Sequence, residues 1–290
     1  MQSRRRAVQV LVLGGFATAV LPGSAAGQGG EDLTISPKRL VLAAGARSAT
    51  VFLLNRGTET TTYAIELADR VMLPDGRIRE PGDVADEPGG AEATALLQTA
   101  KEMIVFSPRR VTLRPGESQT VRLRIARAAD LPEGEYRSHL TVTAVPPPDA
   151  GLTAEQAAQA RPGQMTIRIR TAFGVSIPVI VRQGDPRAGA EIRDVRYMPP
   201  ASGRQAALAL ALVRTGKASL YGDLTVRAAG SGEPPLAQAR GVAVYAEIGR
   251  RTLELPLRRR LSQGERVEIV FADEAARRGE PPARFDYTVT

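Results

Sequence analysis

The sequence predicts an all-β protein built from two β-sandwich domains in tandem. Apolar and polar residues alternate with a period of two over most of the chain, and these short runs are separated by turns that contain Gly or Pro. Segments with helical periodicity are few. Early in the chain the alternating apolar positions are Leu33, Ile35, Leu40, Leu42, Val51, Leu53, Tyr63, Ile65 and Leu67. We expect short antiparallel strands over these residues.

Turn residues separate the predicted strands at positions 55–57, 74–76 and 115–116. Asn and Gly tolerate a positive φ angle and Pro presets the bend, so each segment has a physical reason to reverse the chain. Such strands over roughly a hundred residues are typical of an immunoglobulin-like sandwich. Two segments are not predicted to be strands. Residues 80–90 are rich in Pro, Gly and acidic residues, which predicts a surface loop, and a short helix is predicted over residues 91–102.

The boundary between the two domains is predicted close to residue 183. A strand over residues 177–182 is followed by a segment rich in Gly and Pro at positions 183–189, and alternation resumes at Ile192. We therefore assign residues 27–183 to the first sandwich and residues 184–290 to the second. The strands predicted for the second sandwich cover residues 207–213, 221–228, 241–247, 252–257, 266–271 and 284–290.

The first 26 residues have the features of a signal peptide. Three arginines at positions 4–6 precede a largely apolar run over residues 7–21, and Ser24, Ala25 and Ala26 supply the small residues of a cleavage site. A membrane anchor is the alternative, but the run contains two glycines and is shorter than the ~20 apolar residues that a spanning helix needs. We expect export, with cleavage near Ala26.

Composition excludes several classes of function. The net charge is +8, and removal of residues 1–26, which hold three Arg and no acid, lowers it to +5, so nucleic-acid binding is not implied. Pairs such as Arg122 and Arg124 alternate with apolar residues, which favours a solvated strand face over a phosphate-binding stripe. The chain has no Cys, so neither a disulfide nor a thiolate metal site can form.

Catalytic and metal-binding patterns are also missing from the sequence. His139 is the only histidine, so a Cys-His pair and a site with several imidazoles are excluded, and a structural role is favoured for it. The acidic residues near the loops, Asp69, Glu80, Asp83 and Asp86, do not have the spacing of a calcium loop. We therefore predict a protein that is not an enzyme and that has no metal, no cofactor and no small-molecule substrate.

Two stretches identify a family. Residues 106–125 read FSPRRVTLRPGESQTVRLRI and residues 131–145 read LPEGEYRSHLTVTAV. Both resemble the first domain of periplasmic pilus-assembly chaperones, and the resemblance extends from Leu33 to about Arg182, with the second domain similar only in its pattern of strands. The resemblance implies a periplasmic chaperone that binds and caps pilus or fimbrial subunits and delivers them to an outer-membrane usher.

The same resemblance implies a role for the strand after residue 164. From periodicity alone, its alternating apolar residues are expected to pack inside their own domain. In pilus-assembly chaperones the strand at this place completes a subunit that lacks its last strand. By position, the residues that match the donated face are Met165, Ile167, Ile169, Thr171 and Phe173.

Family members also hold the terminal carboxylate of the subunit with basic residues in the cleft between the domains. The match of Arg-Leu-Val-Leu with the opening strand assigns this role to Arg39, with Lys38 as a less good match. Ser176 occupies the cleft position where the family usually has a second anchor, a Lys. Arg170 and Arg182 are the alternatives for that missing cation, and the spacing does not choose between them.

The sequence leaves several possibilities open. A dimer in which one copy covers the exposed strand of the other is compatible with the resemblance. A secreted β-sandwich adhesin or structural binding module, with all its apolar strands buried internally and a glycan or cell surface as partner, is the alternative from another class. A hydrolase that uses acidic loop residues is a more distant one.

Overall fold

The computed structural model describes residues 32–146, 173–276 and 280–290. These residues form two β-sandwiches that follow one another along the chain, which confirms the predicted fold class. The last strand of the first sandwich ends at Gln183 and the first strand of the second begins at Ala188. In the described part, no helix is long and apolar enough to cross a membrane.

The first sandwich has two sheets and a small additional hairpin. The strands are β1 (Leu33–Ser36), β2 (Leu40–Leu42), β3 (Ser48–Asn55), β4 (Thr61–Ala68), β5 (Val71–Met72), β6 (Ile78–Arg79), β7 (Ile104–Ser107), β8 (Arg110–Leu113), β9 (Ser118–Ile125), β10 (Gly134–Val145) and β11 (Gly174–Gln183). One sheet has the order β1-β3-β9-β7, the other has the order β2-β11-β10-β4-β8, and β5 pairs with β6. The chain passes from the first sheet to the second at Pro37 and again at Pro108, and a cis peptide bond precedes each of these prolines.

The core of the first sandwich lies between its two sheets. The predicted alternation explains it, because every second residue of β3 and β9 turns inward and the residues between them face solvent. Arg122 and Arg124 are exposed between buried neighbours. The buried side chains of this core include Val51, Leu53, Tyr63, Ile65, Val121, Leu123, Leu140, Val142 and Val179.

The second sandwich is built in the same way. The strands are β12 (Ala188–Met198), β13 (Ala207–Gly216), β14 (Leu220–Ala228), β15 (Ala237–Val244), β16 (Arg250–Pro256), β17 (Arg266–Asp273) and β18 (Ala283–Thr288). They form sheets of order β12-β13-β16 and β15-β14-β17-β18. The strand predicted over residues 241–247 begins earlier and ends at Val244, so Tyr245 and Glu247 lie outside the sheet. Both side chains contact the first sandwich instead.

The helix predicted over residues 91–102 is shorter than expected. Helix α1 covers Gly90–Leu96, the backbone of Leu97 is extended, and a 3-10 turn covers Lys101–Met103. The chain leaves the helix because its next segment runs beside β10, where the carbonyl of Gln98 accepts a hydrogen bond from the Arg137 amide at 2.8 Å. Helix propensity is weak enough for such tertiary contacts to override it.

The segment between β4 and β7 packs against the second sandwich. Val71, Met72 and Leu73 are buried in the same apolar cluster as Leu208 and Phe271. The amide of Thr252, on the edge strand β16, donates a hydrogen bond of 2.7 Å to the carbonyl of Pro74. The segment therefore covers a strand edge that would otherwise offer unpaired backbone groups.

The sequence predicted a surface loop over residues 80–90, but part of this segment is buried. The Val84 side chain is buried in the cluster of the second sandwich, and Gly90 is buried against the Val84 carbonyl, where a Cβ atom would lie only 1.9 Å from the oxygen. The polar residues of this segment are mostly exposed. The composition therefore predicted the exposed residues correctly, but it did not predict the burial of Val84 and Gly90.

Candidate binding cleft between the two sandwiches

The strand β10 presents a polar face to the second sandwich. Its residues alternate, so that Tyr136, Leu140 and Val142 belong to the core of the first sandwich while Glu135, Arg137, His139 and Thr141 lie on the opposite face. Both faces are buried over most of the strand because the second sandwich covers the polar one. Buried charges on such a face need partners, and they find them across the domain interface.

Strands β11 and β2 extend this face. Arg182 lies opposite Glu135 in the pairing of β10 with β11, and Ile180 lies opposite Arg137. Arg39 immediately precedes β2, which pairs with β11 through three residues. The predicted cations Arg39 and Arg182 therefore come from neighbouring strands of one sheet.

The deep end of the face contains a buried ion pair. The Arg137 guanidinium donates to the Glu247 carboxylate, and the two side chains are 3% and 2% exposed. Arg137 also donates to the Arg70 carbonyl at 2.9 Å, and its guanidinium carbon lies 3.9 Å from the centroid of the Tyr245 ring. Glu247 accepts a second hydrogen bond from the Met72 amide at 2.9 Å. Burial raises the pKa of Glu247, an effect that Arg137 opposes.

His139 lies beside this ion pair. Its ring is 6.4 Å from the ring of Tyr245 and nearly perpendicular to it, and Nη1 of Arg137 is 3.4 Å from both ring nitrogens. Burial, with the positive charges of Arg137 and Arg70, lowers the pKa of His139 to about 3. The imidazole is therefore neutral at physiological pH.

A second carboxylate joins the two domains nearer the cleft opening. Glu135 accepts a bond from Nε of Arg182 at 3.1 Å. It also accepts one from the Ser219 amide at 3.2 Å and another from the Ser219 hydroxyl. Ser219 belongs to the second sandwich, so these hydrogen bonds join the second sandwich to the Glu135–Arg182 ion pair of the first.

The outer end of the face contains Arg39, which has aromatic neighbours. Its guanidinium carbon lies 4.5 Å from the centroid of Tyr221 and 5.7 Å from that of Tyr245. Nη1 is buried and has no hydrogen-bond partner among the described residues. Burial lowers the pKa of Arg39, which nevertheless remains a cation because arginine titrates far above neutral pH.

Arg39 borders a cavity of about 460 Å³ between the two sandwiches. Lys38 and Arg182 line it as well, so three cations meet there, while Glu274 is the acidic residue of the lining. The second sandwich contributes Ser219, Tyr221, Glu274 and Ala275 to the lining. The site has the charge, the N–H donors and the volume to hold an anionic group.

The other predicted site residues are placed differently. Ser176 is exposed and exchanges a hydrogen bond of 2.9 Å with Thr141, and it does not line the cavity. Phe173 is partly buried, and its carbonyl accepts a hydrogen bond of 2.9 Å from the Ala144 amide. The predicted residues outside the described part are Met165, Ile167, Ile169, Arg170 and Thr171.

Sequence reasoning missed the residues that the second sandwich contributes. Tyr221, Tyr245 and Glu247 carry no motif, and only their contacts across the interface distinguish them. Glu135 and Arg137 lie within the Gly-Glu-Tyr-Arg-Ser motif, where the alternation of charged and apolar residues was the available signal. In the described ranges, no group of three His, Cys, Asp or Glu side chains could hold a metal ion.

The chain matches no family model and no curated protein. Among solved structures it is similar to the YadV chaperone, with 12% identity and a TM-score of 0.45 over 89% of this chain and 100% of that one. It is also similar to the class 5 fimbriae chaperone CfaA, with 12% identity and a TM-score of 0.42 over 89% and 99% of the two chains.

A third similar structure is a chain of the CsuC–CsuE complex of a chaperone and a tip adhesion subunit, from the archaic chaperone-usher Csu pili of Acinetobacter baumannii. It shares 16% identity and has a TM-score of 0.42 over 89% of this chain and 99% of that one. The first two of these structures are chaperones, and the third is a complex that contains one.

Proposed function

We propose that the protein is a periplasmic chaperone that caps pilus or fimbrial subunits by donor-strand complementation and delivers them to an outer-membrane usher. The observation that supports it most is the one-sided pairing of β11. β10 pairs with β11 from Gly174 to Gln183, whereas β2 pairs with it only from Val179 to Val181. Within the described residues, the first half of β11 therefore has an unpaired flank.

An unpaired strand flank presents a row of backbone N–H and C=O groups to another chain. A pilin that lacks its last strand has the complementary defect, namely an open edge beside an apolar groove. Addition of a strand satisfies the backbone of both proteins, and alternating apolar side chains supply the fit. Upstream of β11 the sequence alternates at Met165, Ile167 and Ile169, which lie outside the described residues and are the side chains we propose for donation.

The cleft supports the second part of the proposal, which is capture of the subunit's terminal carboxylate. A carboxylate accepts two parallel hydrogen bonds from a guanidinium, and Arg39 has an Nη1 with no partner among the described residues. Arg182 lines the same cavity and is our choice for the second cation, ahead of the exposed Lys38. Ser176 is not proposed as an anchor because it lies outside the cavity lining.

The donor strand is tested by co-purification with a donor-strand-deficient pilin. The wild-type mature chain is expected to bind it stoichiometrically, and the double variant Ile167→Asp/Ile169→Asp is expected to abolish binding while the monomer stays folded. Each buried Ile contributes on the order of 1.5–3 kcal/mol, and a buried carboxylate adds a desolvation cost. Val105→Asp is the matched control, because Val105 is 60% exposed on the edge strand β7. Binding by the double variant would contradict the donor assignment.

The anchor is tested with Arg39→Ala and the same pilin. Loss of charge-assisted hydrogen bonds of roughly 1.5–3 kcal/mol corresponds to an affinity about 10- to 150-fold weaker. Arg47→Ala serves as the control, since Arg47 is an exposed arginine of the same sandwich. Isothermal calorimetry measures both variants, and an affinity equal to that of the wild type would remove the anchor from the proposal.

A further inference from the structure

Two aromatic rings from the second sandwich hold the Arg39 guanidinium. Tyr221 lies on β14 and Tyr245 directly follows β15, and their centroids are 4.5 Å and 5.7 Å from the guanidinium carbon. Both distances are within the range of a cation–π interaction. Arg39 itself belongs to the first sandwich, so its position depends on a surface of the other domain.

Glu135, the carboxylate whose charge acts on Arg39, is hydrogen-bonded to Arg182 and Ser219 instead. Glu274 lines the same cavity as Arg39, and no ion pair joins the two among the described residues. A carboxylate partner would occupy the N–H donors of Arg39, whereas a ring attracts the cation through its π face and leaves those donors available. Nη1 of Arg39 has no acceptor in the described part of the chain, and the Arg39 side chain lines the cavity in which a ligand would lie.

We propose that Tyr221, together with Tyr245, is a positioning residue that holds Arg39 for an incoming terminal carboxylate. The inference rests on the proposed anchoring function of Arg39 and adds to it a role for the second sandwich. Capture then requires both domains in their observed arrangement, because the cation comes from one and the rings that orient it come from the other.

Tyr221 allows a cleaner test than Tyr245. The Tyr245 ring also contacts Arg137 and His139, so its removal would disturb the deep end of the interface. Tyr221 is partly buried and lines the cavity. The polar contacts of its backbone, a 3.4 Å bond from the amide to Asp273 and a 2.9 Å bond from the Glu274 amide to its carbonyl, do not involve its side chain.

The experiment compares two synthetic peptides on the full mature chain. Both are fluorescein-labelled peptides of alternating Val and Thr, one with a free terminal carboxylate and one with a terminal amide. Fluorescence anisotropy gives the affinity ratio of the two peptides, and we expect the wild type to prefer the carboxylate by about tenfold or more. Tyr221→Leu is expected to bring the ratio close to one, and Tyr221→Phe, which keeps the ring, is expected to retain it.

A double-mutant cycle separates positioning from a general structural role. If the ring acts through Arg39, the variant Arg39→Met/Tyr221→Leu binds the carboxylate peptide no more weakly than Arg39→Met alone. Thermal unfolding followed by circular dichroism verifies that each variant is folded. Tyr221→Met, which also lacks a ring, replaces Tyr221→Leu if the leucine variant does not fold.

The outcomes distinguish the two proposals. A wild-type chain that binds both peptides equally, or neither, overturns the anchor and with it the positioning role. A wild-type preference for the carboxylate that persists in Tyr221→Leu overturns the positioning role and keeps the anchor. Additive losses in the cycle also overturn positioning, because they indicate that Tyr221 acts independently of Arg39.

Discussion

The two ends of the interdomain face use arginine in different ways. At the deep end, Arg137 has a buried carboxylate, a backbone carbonyl and an aromatic ring as neighbours. At the outer end, Arg39 has two aromatic rings and an Nη1 without a partner in the described ranges, and it borders a cavity. The two cations share one ring, Tyr245, so the contrast arises within a single interface.

On our proposal, this difference distinguishes a cation that joins the two domains from one that binds a ligand. A buried charge destabilises a protein unless partners compensate for it. Arg137 has a carboxylate partner within the chain, which suits a structural role, although its Nε, like Nη1 of Arg39, has no hydrogen-bond partner among the described residues. The positive charge of Arg39 is compensated only in part, by two aromatic rings, and a bound anion would supply the negative charge that balances it. The following predictions test this contrast, from the largest expected effect to the smallest.

The largest effect is expected from Glu247→Ala at the deep end. The change leaves the Arg137 guanidinium buried without its carboxylate and leaves the Met72 amide without its acceptor. Breaking a buried pair in this way costs about 3–5 kcal/mol of unfolding free energy, measured by urea denaturation. Glu254→Ala is the control, because the pair of Glu254 with Arg204 is exposed and contributes only ~0–1 kcal/mol. A loss below about 1 kcal/mol for Glu247→Ala would contradict a structural role.

His139 is expected to make the protein less stable in acid. Its pKa is about 3 in the folded state, whereas an unperturbed histidine has a pKa of 6.5, so between these values the unfolded chain binds a proton that the native protein does not. The contribution of His139 to the unfolding free energy therefore falls as the pH decreases, by about 2 kcal/mol between pH 7 and pH 5. The raised pKa of Glu247 acts in the opposite direction, so the comparison needs a variant.

The variant is His139→Gln, which removes the titrating group and keeps a polar side chain. Urea denaturation at pH 7 and pH 5 measures the change in unfolding free energy for both proteins. We expect the loss between the two pH values to be about 2 kcal/mol smaller in the variant. Equal losses in the two proteins would indicate that His139 is not held neutral by its surroundings.

The smallest effect on stability is expected from Arg39→Met at the outer end. The substitution removes a partly buried and partly compensated cation, which is favourable, and loses cation–π contacts of about 0.5–2 kcal/mol, which is unfavourable. The net change in unfolding free energy, measured by urea denaturation, should stay within about 1 kcal/mol. A loss as large as that of Glu247→Ala would make Arg39 structural and would remove the contrast between the two ends.

Local patterns in the sequence were enough to predict the fold class. Period-two alternation identified most strands of both sandwiches, because the pleat places every second side chain on the same face whatever the partner strand is. The resemblance of short motifs to a family singled out Arg39, which lies in the cleft between the domains. The role of Arg39 as an anchor remains a prediction, as do the roles of Met165, Ile167 and Ile169.

The tertiary structure decided what local patterns cannot encode. Helix α1 ends at Leu96 because the next residues follow β10, and β15 ends at Val244 because Tyr245 and Glu247 turn to the first sandwich. The residues of the second sandwich that contact Arg137 and Arg39 are distant from them in the chain, and no sequence period relates residues at that separation. Burial and charge compensation depend on which surfaces meet, so the distinction between an arginine with a carboxylate partner and one without such a partner among the described residues exists only in the folded protein.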